Sequence, residues 1–281
     1  MIDQLRRLAP DYLQLTQAQQ QWLWSIQGPA LLDCDWSPAH PDWWQPPSAY
    51  PPQAAHFTSP RLGFRFEQLW QQYIELMDWP AQFNLQIRSA ERTLGELDAL
   101  LKTPQGVIHL ELALKFYLGF GDDWIGPNRR DRLADKIRHT RDHQLAMAQQ
   151  PETRTALAPE WQPSHSQALM RGCLFHAANP AFRGALPAEV NAEHWHGYWC
   201  HIQDAPQLLP QGQWYILSKP DWISPICAPL AVDRDTLLHY CQRHFQSLDG
   251  GLCAALLQYH QGQWIEQQRW MLMANDWPRS G

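Results

Sequence analysis

Between Leu94 and Phe116 two apolar runs flank the breaker Thr103-Pro-Gln-Gly106, and carboxylates recur within them at even spacing. A hairpin accounts for both features. Side chains on a strand alternate faces with a period of two. Glu96 and Asp98 therefore share one face of the first strand, and His109, Glu111, Ala113 and Lys115 share one face of the second. The opposite faces carry Leu97, Ala99 and Leu101, then Ile108, Leu110, Leu112 and Leu114. A polar strand face is most often only solvated. Here the flanking residues are apolar enough to make both strands central, and acids among buried strands need a partner. Such a face can hold a divalent cation over the sheet.

The surrounding pattern predicts an α/β fold, a mixed sheet flanked by helices. Leu62, Phe66, Leu69, Trp70, Tyr73, Ile74 and Met77 have helical spacing, with Glu67 at the polar edge of that stripe. Phe83, Leu85 and Ile87 alternate as a strand leading into the hairpin. A further helix is expected over residues 128–148, starting after Gly126-Pro127. Its Arg132, Lys136, His139 and His143 fall on one stripe, read either as solvated surface or as a phosphate-contacting face. Residues 4–26 predict one or two helices stopped by Gln27-Gly-Pro-Ala30, and 33–60 an extended Pro/Trp-rich segment. Residues 151–163 read as a loop. Gln213–Leu217 reads as a strand, and 252–273 as a hairpin turning at His260-Gln-Gly262. Three segments result: 1–60 helical and Pro/Trp-rich, 61–150 an α/β core, and 151–281 a strand-rich part packed on it.

Gly95-Glu-Leu-Asp98, a turn, and His109-Leu-Glu-Leu-Ala-Leu-Lys115 together resemble the core of the PD-(D/E)XK phosphodiesterase superfamily. In that group an Asp ends one strand, an acid and a lysine lie on the next, and an upstream helix often adds a glutamate. The resemblance implies a restriction-endonuclease-like core over about residues 61–150. It implies Asp98, Glu111 and Lys115 as catalytic residues, and Asp98, Glu111 and Glu67 as ligands of Mg²⁺ or Mn²⁺, hard cations that take oxygen donors. The basic helix, through Arg129, Arg132 and Lys136, would then contact nucleic acid. The wider chain is similar to a bacterial family of unknown function in or near that superfamily. The residues carrying this likeness are Glu111–Leu118, Gly126–Leu133, His194–Trp199 and Arg269–Pro278.

One departure bears on the chemistry. The superfamily places acid and lysine two residues apart, whereas Glu111 and Lys115 are four apart, ~13 Å along a strand rather than ~6.6 Å. Either a bulge or a long lysine reach closes that gap, or Ala113 stands at the usual acid position and Glu111 is a migrated carboxylate. The function expected is metal-dependent hydrolysis of a nucleic-acid phosphodiester. The alternative is a nuclease-fold scaffold or binding protein without catalysis.

Composition narrows the rest. Hydrophobic residues make up 44% and charged residues 18% of 281, the profile of a globular chain. A net charge of −6 argues against a coat for non-specific nucleic-acid binding, though not against a local basic groove. The 16 tryptophans read as packing residues for irregular loops, or as a stacking platform if they share a surface. Six cysteines lack Cys-x-x-Cys pairing, the N-terminus lacks an apolar leader, and no apolar run reaches the ~18 residues of a membrane span. A cytoplasmic protein with free thiols and no membrane association is expected, and no protein partner can be inferred. His194, His196 and His201 cluster around Trp195 and Trp199 without a fixed zinc-ligand spacing.

Overall fold

The computed structural model describes residues 1–51, 55, 57–89, 92–248 and 250–279. Helices α1 (Ile2–Leu8) and α2 (Gln17–Gln27) open the chain, and α3 (Leu62–Leu76) follows the irregular segment. Strands β1 (Ala81–Arg88), β2 (Thr93–Thr103), β3 (Gly106–Phe120) and β4 (Asp123–Ile125) come next. Then α4 (Leu133–His139) runs through a π-helical turn, Thr140–Gln144, into α5 (Leu145–Met147), and α6 spans Pro151–Ala156. The remainder is β5 (His165–Ala177), β6 (His196–His201), α7 (Ala205–Leu208), β7 (Gln213–Ile216), β8 (Cys227–Ala228), β9 (Val232–Asp233), α8 (Arg234–His244), β10 (Leu252–His260) and β11 (Gln263–Met273).

All eleven strands belong to one mixed sheet, with the order β1-β2-β3-β5-β6-β11-β10-β7-β9, while β4 pairs with β3 and β8 with β11. The sheet runs without a break across residue 150, so the segments divided there in the sequence share one sheet. β1, β2 and β3 form an antiparallel meander, and β5 then lies parallel to β3 from Ile108↔His165 to Leu118↔Phe175. The expected trio of adjacent strands over residues 82–118 is present, covered by α3.

Local chemistry explains these elements. In α2, Thr16 caps through a reciprocal box with Gln19, and Gly28-Pro29 follows its end. In α3, Phe66, Leu69, Trp70, Tyr73 and Ile74 are buried at helical spacing. The β2–β3 loop is two residues long and closes on Gly106, whose φ is 120°. The β10–β11 loop has positive φ at both Gln261 and Gly262, the backbone that a two-residue hairpin requires.

Two expectations are corrected. The helix expected from residue 128 begins at Leu133, because Asn128 Oδ1 accepts from the Arg130 and Asp131 N–H groups, and Arg129 turns with φ 67°. Residues 151–163, expected as a loop, contain α6, with Pro151 in its first turn, and a 3₁₀ turn at Pro159–Trp161.

The main core lies between α2, α3 and the even-numbered face of β3, where Phe66, Trp70, Tyr73, Leu101, Ile108 and Leu110 are buried. Tryptophans fill much of this core and of its neighbour around Trp214. Trp22, Trp70, Trp199, Trp214 and Trp277 are all under 2% exposed, so these rings pack loops onto the sheet rather than forming a stacking surface.

Candidate functional site

β2 and β3 part company at the acids. Their backbone pairing runs from Thr103↔Gly106 to Ala99↔Leu110 and goes no further, although both strands continue. Extending that register by one places Asp98 opposite Glu111. There the Leu112 N–H donates to Asp98 Oδ2 at 2.8 Å, so a side-chain carboxylate takes up a strand N–H where the ladder stops.

Glu111 is 3% exposed and its two oxygens have different partners. Oε1 meets His109 Nε2 at 2.9 Å, and Oε2 accepts from Gln144 Nε2 at 2.5 Å. His109, fully buried, meets Ser166 Oγ of β5 through Nδ1 at 3.1 Å. Gln144 in turn accepts at Oε1 from Lys136 Nζ at 2.7 Å and from Thr140 Oγ1 at 2.9 Å. The chain of contacts Ser166–His109–Glu111–Gln144–Lys136 thus ties the strands to the helix above them. The π-helical turn ends on Gln144, a device that recurs at functional sites.

The charges of these groups act on one another. Burial, then the charge of Glu111, with a further push from Glu67, raises the Asp98 carboxyl to about 8; the Leu112 N–H and Lys136 oppose the rise. Burial, then Glu96 and Glu111, raises Glu67 on α3 to about 7. Lys136 is pushed down by burial and by Lys115, and drawn back by Glu111, Asp98 and Asp131. Three elements, α3, β2 and β3, therefore bring carboxylates within electrostatic range of each other, with an ammonium from α4 beside them. A cavity of about 290 Å³ reaches Asp98 of this group, and its other walls include Glu96, His139, His143, Gln144 and Met147. The His139 and His143 rings meet edge to face at 5.0 Å.

The sequence candidates distribute unevenly. Asp98, Glu111 and Glu67 act on one another electrostatically, without forming a metal-ligand cluster. Lys115 Nζ is bonded to Asp131 Oδ2 at 2.8 Å, and Lys136, expected only to touch substrate, is the lysine that acts on Asp98. Arg129 forks onto Asp276 at 2.8 and 2.9 Å, and Arg132 pairs with Asp123 at 2.9 Å. Arg138 and Arg141 pair with Asp135 and Asp142. Of the stripe Arg132, Lys136, His139 and His143, Arg132 is therefore ion-paired, and the arginines beside the stripe are paired as well. His109 and Gln144 had no expected role. His109 was legible in principle from its shared face with Glu111, but Gln144 is brought into phase by a π turn that helical spacing does not anticipate.

The histidine cluster also rearranges. His194 and His196 gather with His176 of β5, not with His201, whose Nε2 lies 2.7 Å from the Trp277 carbonyl. The His176 and His194 Nε2 atoms meet at 3.2 Å beside a larger cavity of about 570 Å³. Among the described residues, no group of three or more His, Cys, Asp or Glu side chains is arranged as a ready-made metal cage. Nor is any helix of those residues long and apolar enough to cross a membrane.

No curated protein and no solved structure matches the chain. A family described as a domain of unknown function, DUF1853, matches residues 8–273, nearly the whole length, and the protein belongs to that family.

Proposed function

We propose that the protein is a divalent-metal-dependent phosphodiesterase acting on nucleic acid, with a restriction-endonuclease-like core formed by α3 and β1–β3 with β5. The observation that carries this reading is the mutual repulsion of Glu67, Asp98 and Glu111, which stand on three elements within electrostatic range of one another, with Lys136 acting on Asp98 and Glu111. Carboxylates held together at this cost of charge are suited to a cation.

The donor set fits Mg²⁺ or Mn²⁺. These ions take hard oxygen ligands, and Mg²⁺ is commonly held by only one or two carboxylates with water and phosphate completing its shell. Asp98 and Glu111 would supply those two. Each carboxylate oxygen has more than one lone-pair site, so the bonds from His109 and Gln144 leave Glu111 able to bind. Those bonds fix the carboxylate's orientation, as outer partners of metal ligands do. Glu67, its proton affinity raised to about 7, is placed to bind through water or to exchange a proton near neutral pH. When bound, the ion supplies Lewis-acid polarisation of the phosphate and a lowered pKa for an attacking water. Lys136 takes the part that the sequence pattern gave Lys115, offsetting charge on phosphate oxygens.

The test joins thermal melts with a cleavage assay on branched, flapped and single-stranded DNA and RNA. Mn²⁺ and Mg²⁺ should raise the melting temperature of the wild type, as ligands of the folded state do, but not of Asp98→Ala or Glu111→Ala. Lys136→Ala should keep the metal response and lose ~10²-fold or more of cleavage, while Lys115→Ala should lose far less. A wild type indifferent to both cations in melts and calorimetry would sink the proposal. The pairing of Arg129, Arg132, Arg138 and Arg141 with aspartates favours the second reading, a nuclease-fold scaffold, should cation binding occur without cleavage.

A further inference from the structure

On β5, Arg171 is 5% exposed, yet it has no carboxylate partner among the described residues. Its Nη2 donates to the Ile26 carbonyl at 3.3 Å, while Nε and Nη1 have no hydrogen-bond partner. Burial alone pushes its pKa down, to about 10, and no acid acts to hold it up. At neutral pH it is therefore a buried, uncompensated cation, among the most costly things a fold can contain.

This fold satisfies a buried arginine fully elsewhere. Arg269, 0% exposed, forks onto Glu266 at 2.9 and 2.7 Å and donates to the carbonyls of Trp222 and Ser224. The contrast makes Arg171 stand out as a group awaiting a partner.

Arg171 also lines a cavity of about 240 Å³ between α1, the end of α2 and the irregular segment. The other walls are mostly apolar, including Leu8, Ile26, Pro29, Pro41 and Trp44, with Arg7 as a second cation. Glu193 lines it too, but makes no ion pair with Arg171. From the structure we infer that this cavity is a binding site for a small organic oxyanion, a carboxylate or phosphate on a compact apolar body, with Arg171 as its counter-ion. Guanidinium groups match such oxyanions in geometry and charge. The volume equals that of ~8 water molecules, which limits the ligand to roughly the size of a substituted benzene. The site stands apart from the carboxylates of β2 and β3 and does not depend on the phosphodiesterase reading.

Calorimetry and thermal melts with benzoate, phenyl phosphate and the neutral control benzamide test the inference. At least one anion should bind saturably, one per chain, and raise the melting temperature, while benzamide should do neither. Arg171→Met should weaken binding at least tenfold and melt, without ligand, no lower than the wild type, because the uncompensated charge is gone. Ala39→Phe, which adds a ring at the half-buried wall of the cavity and keeps Arg171, should also abolish binding; it decides the matter if Arg171→Met fails to fold. The inference is overturned if neither anion binds at millimolar concentration, if benzamide binds equally well, or if Ala39→Phe leaves binding intact.

Discussion

Asp98 and Glu67 hold protons more tightly in the folded chain than their ordinary values of 3.8 and 4.5 allow, at about 8 and about 7. The folded state therefore binds more protons than the unfolded state between those limits. Stability from these groups is fully present below the ordinary carboxyl range and is lost as pH rises through about 7 and then about 8. Asp98→Asn keeps an oxygen for the Leu112 N–H and cannot ionise. It should flatten the fall in melting temperature between pH 5 and pH 8.5, and melt above the wild type at the alkaline end. Parallel curves for the two proteins would show that Asp98 is not protonated in the native state. Part of this site was legible in the sequence. The period of two along β2 and β3 was enough to put Asp98 and Glu111 on matching faces. It could not show that Lys115 is claimed by Asp131, because that contact depends on where the turn at residues 126–131 brings its aspartate.

Elements with alternating faces or a clear turn signal were legible, and β5, which has neither, was not. β2 and β3 alternate apolar with polar residues around a two-residue turn, and β10 and β11 flank the turn at Gln261 and Gly262. β5 carries no such alternation. Leu169, Cys173 and Phe175 enter the main core, while Met170 and Leu174 enter a second cluster with Trp124 and Leu133. A strand covered on both sides reads as an unbroken apolar run, hard to tell from helix. Its Arg171-Gly172 interruption obscures it further. Gly172 is nevertheless what lets β5 lie against β3. Its φ is 138°, and a Cβ there would fall 1.7 Å from the Lys115 carbonyl oxygen, a backbone atom that can move only with its strand. Gly172→Ala should therefore cost at least ~3 kcal/mol in urea unfolding, from backbone strain and a displaced ladder together. A loss under ~1 kcal/mol would mean that the strands do not approach so closely. Gly262→Ala, also at positive φ but with open space around it, provides the comparison and should cost only ~1 kcal/mol.

At the scale of the whole molecule, one buried ion pair links the N-terminal helices to the far half of the sheet. Glu266 and Arg269 stand on β11, both 0% exposed, with the guanidinium 4.3 Å from the Trp195 ring centroid. Arg269 donates to the carbonyls of Asp221, Trp222 and Ser224, and Glu266 Oε2 accepts from the Ile226 N–H. That same segment is held from the other side by α2: Gln17 Nε2 donates to Asp221 Oδ1 at 2.7 Å, and Gln21 Nε2 to the Pro220 carbonyl at 2.9 Å. The sequence marked Arg269 only as part of a motif. Its function as an anchor emerges when residues nearly 250 positions apart meet on one short segment. Breaking a buried pair leaves the surviving charge uncompensated, typically at a cost of ~3–5 kcal/mol. Arg269→Gln should lose stability on that scale, and more than Glu266→Gln, because three backbone carbonyls lose their donor as well. A double-mutant cycle should then give a coupling above ~2 kcal/mol. If the two losses simply add, the two charges are not coupled, and the segment that α2 grips is not anchored through this pair.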